Sequence, residues 1–436
     1  MTSVLFSIIP SSLPECKASG ALFPPKDGFF REKRVDIRRL PCYNEDRIPI
    51  KGGLSMDESV LFFSLICAPL GGAKPDLSGV SDQALSRILA LARRQDLGHL
   101  MARTLIGGGM DEGHPLYPAL VRQEQLALLR ATRRDYAIEQ ISRLLEEEGI
   151  DFMPLKGALI RHLYPAPHLR TSCDLDILVR EDRVLDAARA IEERLSYRPE
   201  GGRQYHDYTL LSPDGVRLEL HFSLAENDPR MDGVLSRVRE HARPAAEGAH
   251  LHLPSDAFLI LHHTAHAAHH LLMGGCGVRP LIDLHLMHRA LMPDEGELDT
   301  LLAKSSLTDF HRHALSLAAC WFEGRPSEGA EKELERFLLA NHLYGSDGSR
   351  VAISRSRRSH AAHLKSRLLL PYEELSVRYP SLRGRRPLTP MYQLLRILSL
   401  PLSGRLSRSV RELRLSSRMD RERQEQIDGM LRELGL

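Results

Sequence analysis

Two aspartates, Asp174 and Asp176, open the stretch DLDILV, whose apolar and β-branched content is typical of a buried strand. Residues two apart on a strand point to the same face, so both carboxylates leave one face while Leu175 and Ile177 pack on the other. Adjacent carboxylates repel each other, and they are stabilised by a hard cation such as Mg²⁺, which binds carboxylates together with substrate phosphates. The pair therefore predicts phosphoryl or nucleotidyl chemistry.

Glu219 is a candidate third acid. It lies in RLELH, residues 217–221, where strand alternation puts Glu219 and His221 on one face. If this strand neighbours the Asp174 strand, three carboxylates come together, and they can hold two Mg²⁺ ions, or hold one and act as a general base toward a hydroxyl. Taken alone, Glu219 is better interpreted as a surface acid of a hairpin. Taken together with Asp174 and Asp176, it is better interpreted as the third acid of a metal site.

Lys156 and Gly157 lie where a short predicted strand turns into a helix. Helix N-termini present free N–H groups that bind phosphate, and a glycine allows close approach to the backbone. Lys156 adds a positive charge, and Arg170, four residues before Asp174, is a candidate clamp for phosphate oxygens. Each has an ordinary alternative: a routine turn for Lys156 and Gly157, and a solvated loop arginine for Arg170.

A histidine-rich helix is predicted at residues 257–272. His262, His266 and His270 are four residues apart and share a face, a spacing that can bind Zn²⁺ and would suit a metal hydrolase. There is no HExxH motif, because position 263 is also histidine. Helix packing, or lining of a nucleotide cleft by His262 or His266, is favoured over metal binding.

The surrounding elements predict an α+β fold. A long amphipathic helix at residues 118–148 leads into the first strand, and a second helix is predicted at residues 181–195. Strands at 205–211 and 216–222 form a hairpin around a Ser-Pro-Asp-Gly turn. The order of strand, helix, strand, helix, strand, strand predicts a small mixed sheet with helices on one face.

We expect five regions along the chain: a disordered or non-native tail (1–55), an N-terminal helical region (56–149), the sheet-containing core (150–252), a C-terminal helical domain (253–345) and a basic helical or extended region (346–436). The tail lacks the basic segment that begins a signal peptide. Met56, where helical patterning starts, is the candidate true start.

Composition is that of a globular protein, with 436 residues, 42% hydrophobic and 27% charged. A net charge of +2 favours neither nucleic acid nor membrane, and there is no apolar run of about 18 residues that would span a bilayer. Six scattered cysteines without a CxxC argue against a zinc ribbon or a disulfide framework and suit the reducing cytoplasm. The arginine clusters at 355–358 and 383–386 have the charge needed to bind RNA. We favour the interpretation that they lie on a solvent-exposed helical surface.

Several of these motifs together resemble one family. The poorly characterised nucleotidyltransferase family of the DNA polymerase beta-like superfamily has a glycine-containing turn, a helix, an Asp-x-Asp strand and a later strand with a third acid. The matching segments are Leu155-Lys156-Gly157, Tyr164-Pro165, Arg170, Asp174–Val179 and Glu219-Leu220-His221. The resemblance implies a minimal nucleotidyltransferase core, flanked by N- and C-terminal helical regions.

The activity that this resemblance implies is transfer of NMP from an NTP, such as ATP, with Mg²⁺ or Mn²⁺. Asp174, Asp176 and Glu219 would carry out catalysis and bind the metal. The nucleotide phosphates would be bound by Lys156, Gly157 and Arg170. The residues expected to line the cleft are His221, His262, His266 and Asp283. The acceptor hydroxyl stays open, on a small molecule, peptide, protein or RNA.

One departure from the family pattern concerns the phosphate turn. The usual Gly-Gly or Gly-Ser pair is here Gly157-Ala158, so a serine hydroxyl that would contact phosphate is missing. A catalytically inactive nucleotide- or partner-binding module with the same fold is therefore the alternative to a cytoplasmic enzyme.

Overall fold

The computed structural model describes residues 56–203, 206–226, 228–341, 347–356, 372, 375, 379–382, 384–399 and 421–436. The expectation for the tail at 1–55 lies outside the described residues, as does that for most of the arginine cluster at 355–358. Among the described residues, no helix combines the length and the apolar character needed to cross a membrane.

Five strands form one mixed sheet, in the order β1-β2-β5-β4-β3. They are β1 (Phe152–Pro154), β2 (Asp174–Val179), β3 (Arg198–Arg203), β4 (Asp207–Leu211) and β5 (Arg217–His221). β2 pairs with β5 in parallel, and every other neighbouring pair in this sheet is antiparallel. The mixed sheet and the β4–β5 hairpin are confirmed, and β3 is a strand that the sequence analysis missed. A separate antiparallel ribbon joins β6 (Ala242–Pro244) to β7 (His252–Pro254).

Helices precede and follow the sheet. In the described residues they are α1 (Met56–Cys67), α2 (Asp82–Arg94), α3 (Gly98–Gly107), α4 (Tyr117–Glu147), α5 (Gly157–Ile160), α6 (Val184–Leu195), α7 (Pro229–Leu235), α8 (Asp256–Leu272), α9 (Arg279–Ala290), α10 (Glu295–Lys304), α11 (Thr308–Glu323), α12 (Gly329–Ala340), α13 (Asp347–Ser356), α14 (Thr389–Ser399) and α15 (Arg421–Glu433).

Side-chain caps fix where two of these helices begin. The hydroxyl of Ser81 accepts a hydrogen bond from the backbone N–H of Ala84 at 3.2 Å, and that of Ser255 accepts one from Phe258 at 3.2 Å. Each bond satisfies an N–H group that the first turn of a helix leaves without a partner. The capped helix α8 starts within one residue of its predicted position, and so does the long helix α4, whose N-cap residue Leu116 makes no side-chain cap.

The apolar face of the sheet packs against helices. Leu175 and Ile177 of β2 and Leu218 and Leu220 of β5 form a buried cluster with side chains of α4 and α6. Because strand residues alternate between faces, the residues between these leucines and isoleucine point to the opposite face. That opposite face carries the polar side chains of the candidate site.

A second buried cluster unites helices from both ends of the chain. Phe63 of α1 stacks on Trp321 of α11, with ring centroids 4.1 Å apart and an interplanar angle of 6°. The same cluster includes side chains of α3, α8 and α9. The N-terminal and C-terminal helices, which the sequence analysis placed in separate regions, therefore share one core.

Candidate active site

The pairing of β2 with β5 aligns the predicted acids. Asp176 lies opposite Glu219 in the parallel register, and Asp174 lies opposite Arg217. In the described parts of the chain, one group of three potential ligands has its donor atoms within 4.8 Å of one another: Asp176, Glu219 and His221. Asp174 lies on the same strand but is not part of this group. His221, expected only to line the cleft, joins the acids.

Burial and repulsion strain two of these acids. Burial, followed by the charge of Asp176, raises the pKa of Asp174. Burial, followed by Asp176 and then Asp174, raises the pKa of Glu219 as well. A bound cation would favour the charged form of both carboxylates and would therefore stabilise this arrangement.

Asp176 is held in its charged form by two donors. The Nζ atom of Lys156 lies 3.3 Å from Oδ1 of Asp176, and Nε2 of His221 lies 2.8 Å from the same oxygen. Burial alone would raise the pKa of Asp176, but Lys156 and the hydrogen bond from His221 outweigh burial and keep the pKa below its ordinary range. A cation at Asp176 has to compete with Lys156 and His221 for this oxygen.

Lys156 reaches Asp176 from an unusual backbone conformation. Its φ is 42° and its ψ is −115°, in a region that residues with a side chain rarely adopt. Such strain persists only when the surrounding structure imposes it, and it is concentrated at functional sites. Burial alone would lower the pKa of Lys156, but Asp176 and Asp174 raise it, so the ammonium stays charged.

The donor set fits a divalent cation. Asp176 and Glu219 supply carboxylate oxygens, which Mg²⁺ prefers, while the imidazole of His221 is a nitrogen donor that suits transition metals better. Asp174 supplies a further carboxylate on the same strand. The residues therefore suit Mg²⁺ or Mn²⁺ in this place.

Arg170 is committed to a buried ion pair. Its Nε and Nη2 atoms donate to the two carboxylate oxygens of Asp283 at 2.8 and 2.7 Å, and the hydroxyl of Tyr164 donates to Asp283 at 2.7 Å. The side chains of Arg170 and Asp283 are only 8% and 1% exposed. Two of the three guanidinium nitrogens are thus already used, and a phosphate contact from Arg170 stays a prediction.

The absence of a side chain at Gly157 makes room for Arg170. A Cβ atom at position 157 would lie 2.6 Å from Nη1 of Arg170 and 3.1 Å from Oγ of Ser172. The helix that Gly157 opens is only four residues long, so its dipole is small. Packing against a buried guanidinium is therefore a sufficient reason for glycine here.

We expect Gly157→Ala to lower the free energy of unfolding by about 1–3 kcal/mol, because overpacking forces neighbours to move and Asp283 pins the guanidinium of Arg170. Urea titration measures the change. Gly233→Ala is the matched control, since a Cβ atom there meets nothing within 4 Å. Alanine in that helix should be neutral or stabilising. Equal stability of the Gly157→Ala variant and the natural chain would contradict the packing explanation.

The histidines of α8 divide into two sets. His262 and His263 are 3% and 5% exposed, and His262 stacks near Phe258, so His262 lies in the core. His266 is 25% exposed and bonds through Nδ1 to Oε1 of Glu226 at 2.9 Å. Within the described residues, the α8 histidines form no group of three ligand atoms within 4.8 Å. The helical spacing alone does not build a zinc site in this structure.

Glu226 is a residue of the site region that the sequence analysis missed. It follows β5 in a loop, and its side chain is 16% exposed. Burial raises its pKa, while His269, Lys156 and His221 oppose the rise. No periodicity or motif marks Glu226 in the sequence; its contact with α8 is the signal, and that contact is visible only in the fold.

Comparison with known proteins agrees with the expected family. A family model described as an uncharacterised nucleotidyltransferase matches residues 81–323, which is more than half of the chain. No curated protein matches the chain. Among solved structures, the solution structure of the antibiotic-resistance factor ANT(2'')-Ia matches with 18% identity and a TM-score of 0.29, over 42% of this chain and 99% of that one. On the strength of the family match, the chain belongs to this family of uncharacterised nucleotidyltransferases.

Proposed function

We propose that this nucleotidyltransferase transfers NMP from an NTP to an acceptor hydroxyl, with Mg²⁺ or Mn²⁺. The observation that supports the proposal is the alignment of Asp176 with Glu219 across β2 and β5, with His221 beside them. These three residues and Asp174 would hold the cation. When bound, the cation would supply charge stabilisation for the triphosphate and the departing pyrophosphate.

The residues around the acids have separate tasks in this proposal. Lys156 is charged, lies 3.3 Å from Asp176 and would contact a phosphate oxygen once a cation replaces it there. The backbone at Gly157 would complete the phosphate side. The Nη1 atom of Arg170 has no hydrogen-bond partner among the described residues, but it is buried against Gly157, so it would contact a phosphate only if this turn opened. We place the reaction in the cytoplasm, where nucleoside triphosphates are available.

The direct test incubates the full chain with each α-³²P-labelled NTP and Mg²⁺ or Mn²⁺, with water, glycerol and the protein itself as acceptors. We expect release of pyrophosphate and formation of NMP or labelled protein, both abolished by EDTA. NTP binding without pyrophosphate release would instead support the inactive binding module, for which Ala158 in place of serine is the sequence argument. Absence of NTP binding would contradict both nucleotidyl transfer and nucleotide binding, and would leave only the partner-binding module.

A further inference from the structure

His221 brings a nitrogen donor to the candidate metal ligands. It lies two residues after Glu219 on β5, so strand alternation directs both side chains to the face of the sheet that carries Asp176. His221 and Asp176 are both buried, which shields their donor atoms from water. A buried imidazole among carboxylates differs from the oxygen-only set of ligands that Mg²⁺ takes in proteins.

The distances around Nε2 of His221 are those expected between ligands of one ion. Nε2 lies 2.8 Å from Oδ1 of Asp176 and 3.6 Å from Oε2 of Glu219. Neighbouring ligands of an octahedral ion, each about 2.1 Å from the metal, are about 3 Å apart. The two distances lie on either side of this value, and the three side chains offer donor atoms within 4.8 Å of one another. Small movements of these side chains therefore suffice for one cation to contact all three.

A cation would replace two contacts, and both are made with the same oxygen. Oδ1 of Asp176 is hydrogen-bonded to Nε2 of His221 and lies 3.3 Å from Nζ of Lys156. Metal binding needs the lone pair on Nε2, so the single proton of the neutral imidazole has to lie on Nδ1. The hydrogen bond between His221 and Asp176 thus holds in place two donor atoms that would both turn to the metal.

We propose that His221 is a ligand of the cation used in nucleotidyl transfer, and that this nitrogen ligand makes the site select Mn²⁺ over Mg²⁺. The inference rests on the nucleotidyl transfer proposed above and names the ion. Mn²⁺ takes carboxylate, water and phosphate oxygens as Mg²⁺ does, and as a first-row transition metal it also binds imidazole. Zn²⁺ binds imidazole too, but its preference for four ligands leaves little room for the oxygens of a triphosphate.

The alternative role for His221 is to orient Asp176 by donating a hydrogen bond to it. His221→Gln separates the two roles, because the amide N–H of glutamine can still donate to Asp176 while an amide nitrogen does not bind a metal. An orienting role predicts that this variant keeps the metal preference of the natural chain. A ligand role predicts that the variant loses it.

The direct test is pulsed EPR of Mn²⁺ bound to the full chain, alone and with the α,β-methylene analogue of ATP. We expect spin-echo modulation from a directly bound imidazole nitrogen, with the ¹⁴N pattern in unlabelled protein and the ¹⁵N pattern after ¹⁵N-histidine labelling. The modulation should disappear in His221→Gln. His206→Gln is the matched control, because the ring of His206 stacks on that of His221 at a centroid distance of 5.7 Å but supplies none of the three candidate ligand atoms. It should keep the modulation.

Metal affinity and metal preference give a second measurement. Loss of an outer-shell partner typically costs about 10–100-fold in metal affinity, so loss of a ligand should cost at least as much. We expect the Kd of His221→Gln for Mn²⁺ to rise by that factor, while the Kd for Mg²⁺ rises less. His221→Asp makes the ligand set oxygen-only. It should lower the ratio of kcat/KM with Mn²⁺ to that with Mg²⁺, which should be well above one in the natural chain.

The outcomes separate this inference from the proposed function. Bound Mn²⁺ without a histidine nitrogen signal, equal use of Mg²⁺ and Mn²⁺ by the natural chain, or an unchanged preference in His221→Gln would each overturn the inference. Nucleotidyl transfer still stands in those cases if Asp176→Asn abolishes it. If the natural chain transfers no better than Asp176→Asn with either ion, both proposals fall.

Discussion

Replacing Asp176 by asparagine is expected to reduce nucleotidyl transfer by about 10³-fold or more, since charge stabilisation by a bound cation is worth several kcal/mol. The substitution keeps the volume of the side chain and an oxygen that accepts from Lys156 and His221. It removes the negative charge that a cation needs. Initial rates of pyrophosphate release, measured over a range of Mg²⁺ and Mn²⁺ concentrations, give the loss.

Asp186→Asn is the control for this variant, because it removes the same charge from an exposed side chain of α6. It should leave the rate and the metal dependence unchanged. Thermal unfolding of both variants separates loss of chemistry from loss of fold. Transfer that survives in Asp176→Asn would contradict the proposed function.

Asp283→Asn is expected to lower the free energy of unfolding by about 3–5 kcal/mol, the usual cost of removing one partner of a buried ion pair. The two oxygens of Asp283 accept two bonds from Arg170 and one from Tyr164, and its side chain is 1% exposed. Asparagine leaves the guanidinium charge of Arg170 buried without a counter-charge. Urea unfolding followed by circular dichroism measures the loss.

The effect of Asp283 on stability should depend on pH with a definite sign. Burial would raise its pKa, but Arg170 lowers it below the ordinary value of 3.8. A carboxyl whose pKa is depressed in the folded state stabilises the fold above its unfolded pKa and stops doing so as the pH falls through the folded pKa. The stability difference between the natural chain and Asp283→Asn should therefore be full above about pH 4 and shrink below it.

Asp182→Asn is the control for Asp283→Asn. Asp182 also pairs with an arginine through two hydrogen bonds, but both side chains are exposed to solvent, where ion pairs contribute little. The urea midpoint of the Asp182→Asn variant should equal that of the natural chain. A similar loss in both variants, or a constant difference down to pH 2, would contradict the role given to the buried pair.

Local pattern was enough to predict that Asp176 and Glu219 lie on neighbouring strands, where they face each other in the sheet. Asp174, Asp176 and Glu219 follow from the alternation of strand residues and from turn signals, both of which act over a few positions. The polar strand β3 was missed because its sequence, RPEGGR, lacks apolar alternation and its register shifts between Pro199 and Gly202. Strand pairing there is imposed by β4 rather than by its own residues.

The local sequence pattern could not predict which polar side chains pair with each other around the site. Asp283 binds Arg170 across 113 positions of sequence, and His266 binds Glu226 across 40. Nothing near either residue in the sequence specifies its partner, because the contacts depend on how α8 and α9 pack against the loops that precede β2 and follow β5. For the same reason, the sequence analysis gave Gly157 only a phosphate-binding role. The atom that occupies the space beside Gly157 belongs to Arg170, and that contact is visible only in the fold.

The stacking of Phe63 on Trp321 has a consequence for dissecting this protein. Helices that precede the sheet are covered by helices that follow it, so neither set can bury its apolar surface without the other. In the sequence, the sheet and its acids lie between two groups of helices that share one core. The sheet is therefore not a domain that can be separated from these helices. Fragments that begin after α3 or end before α11 should expose that surface and aggregate, so work on the acids requires a chain that retains both ends of the helical body.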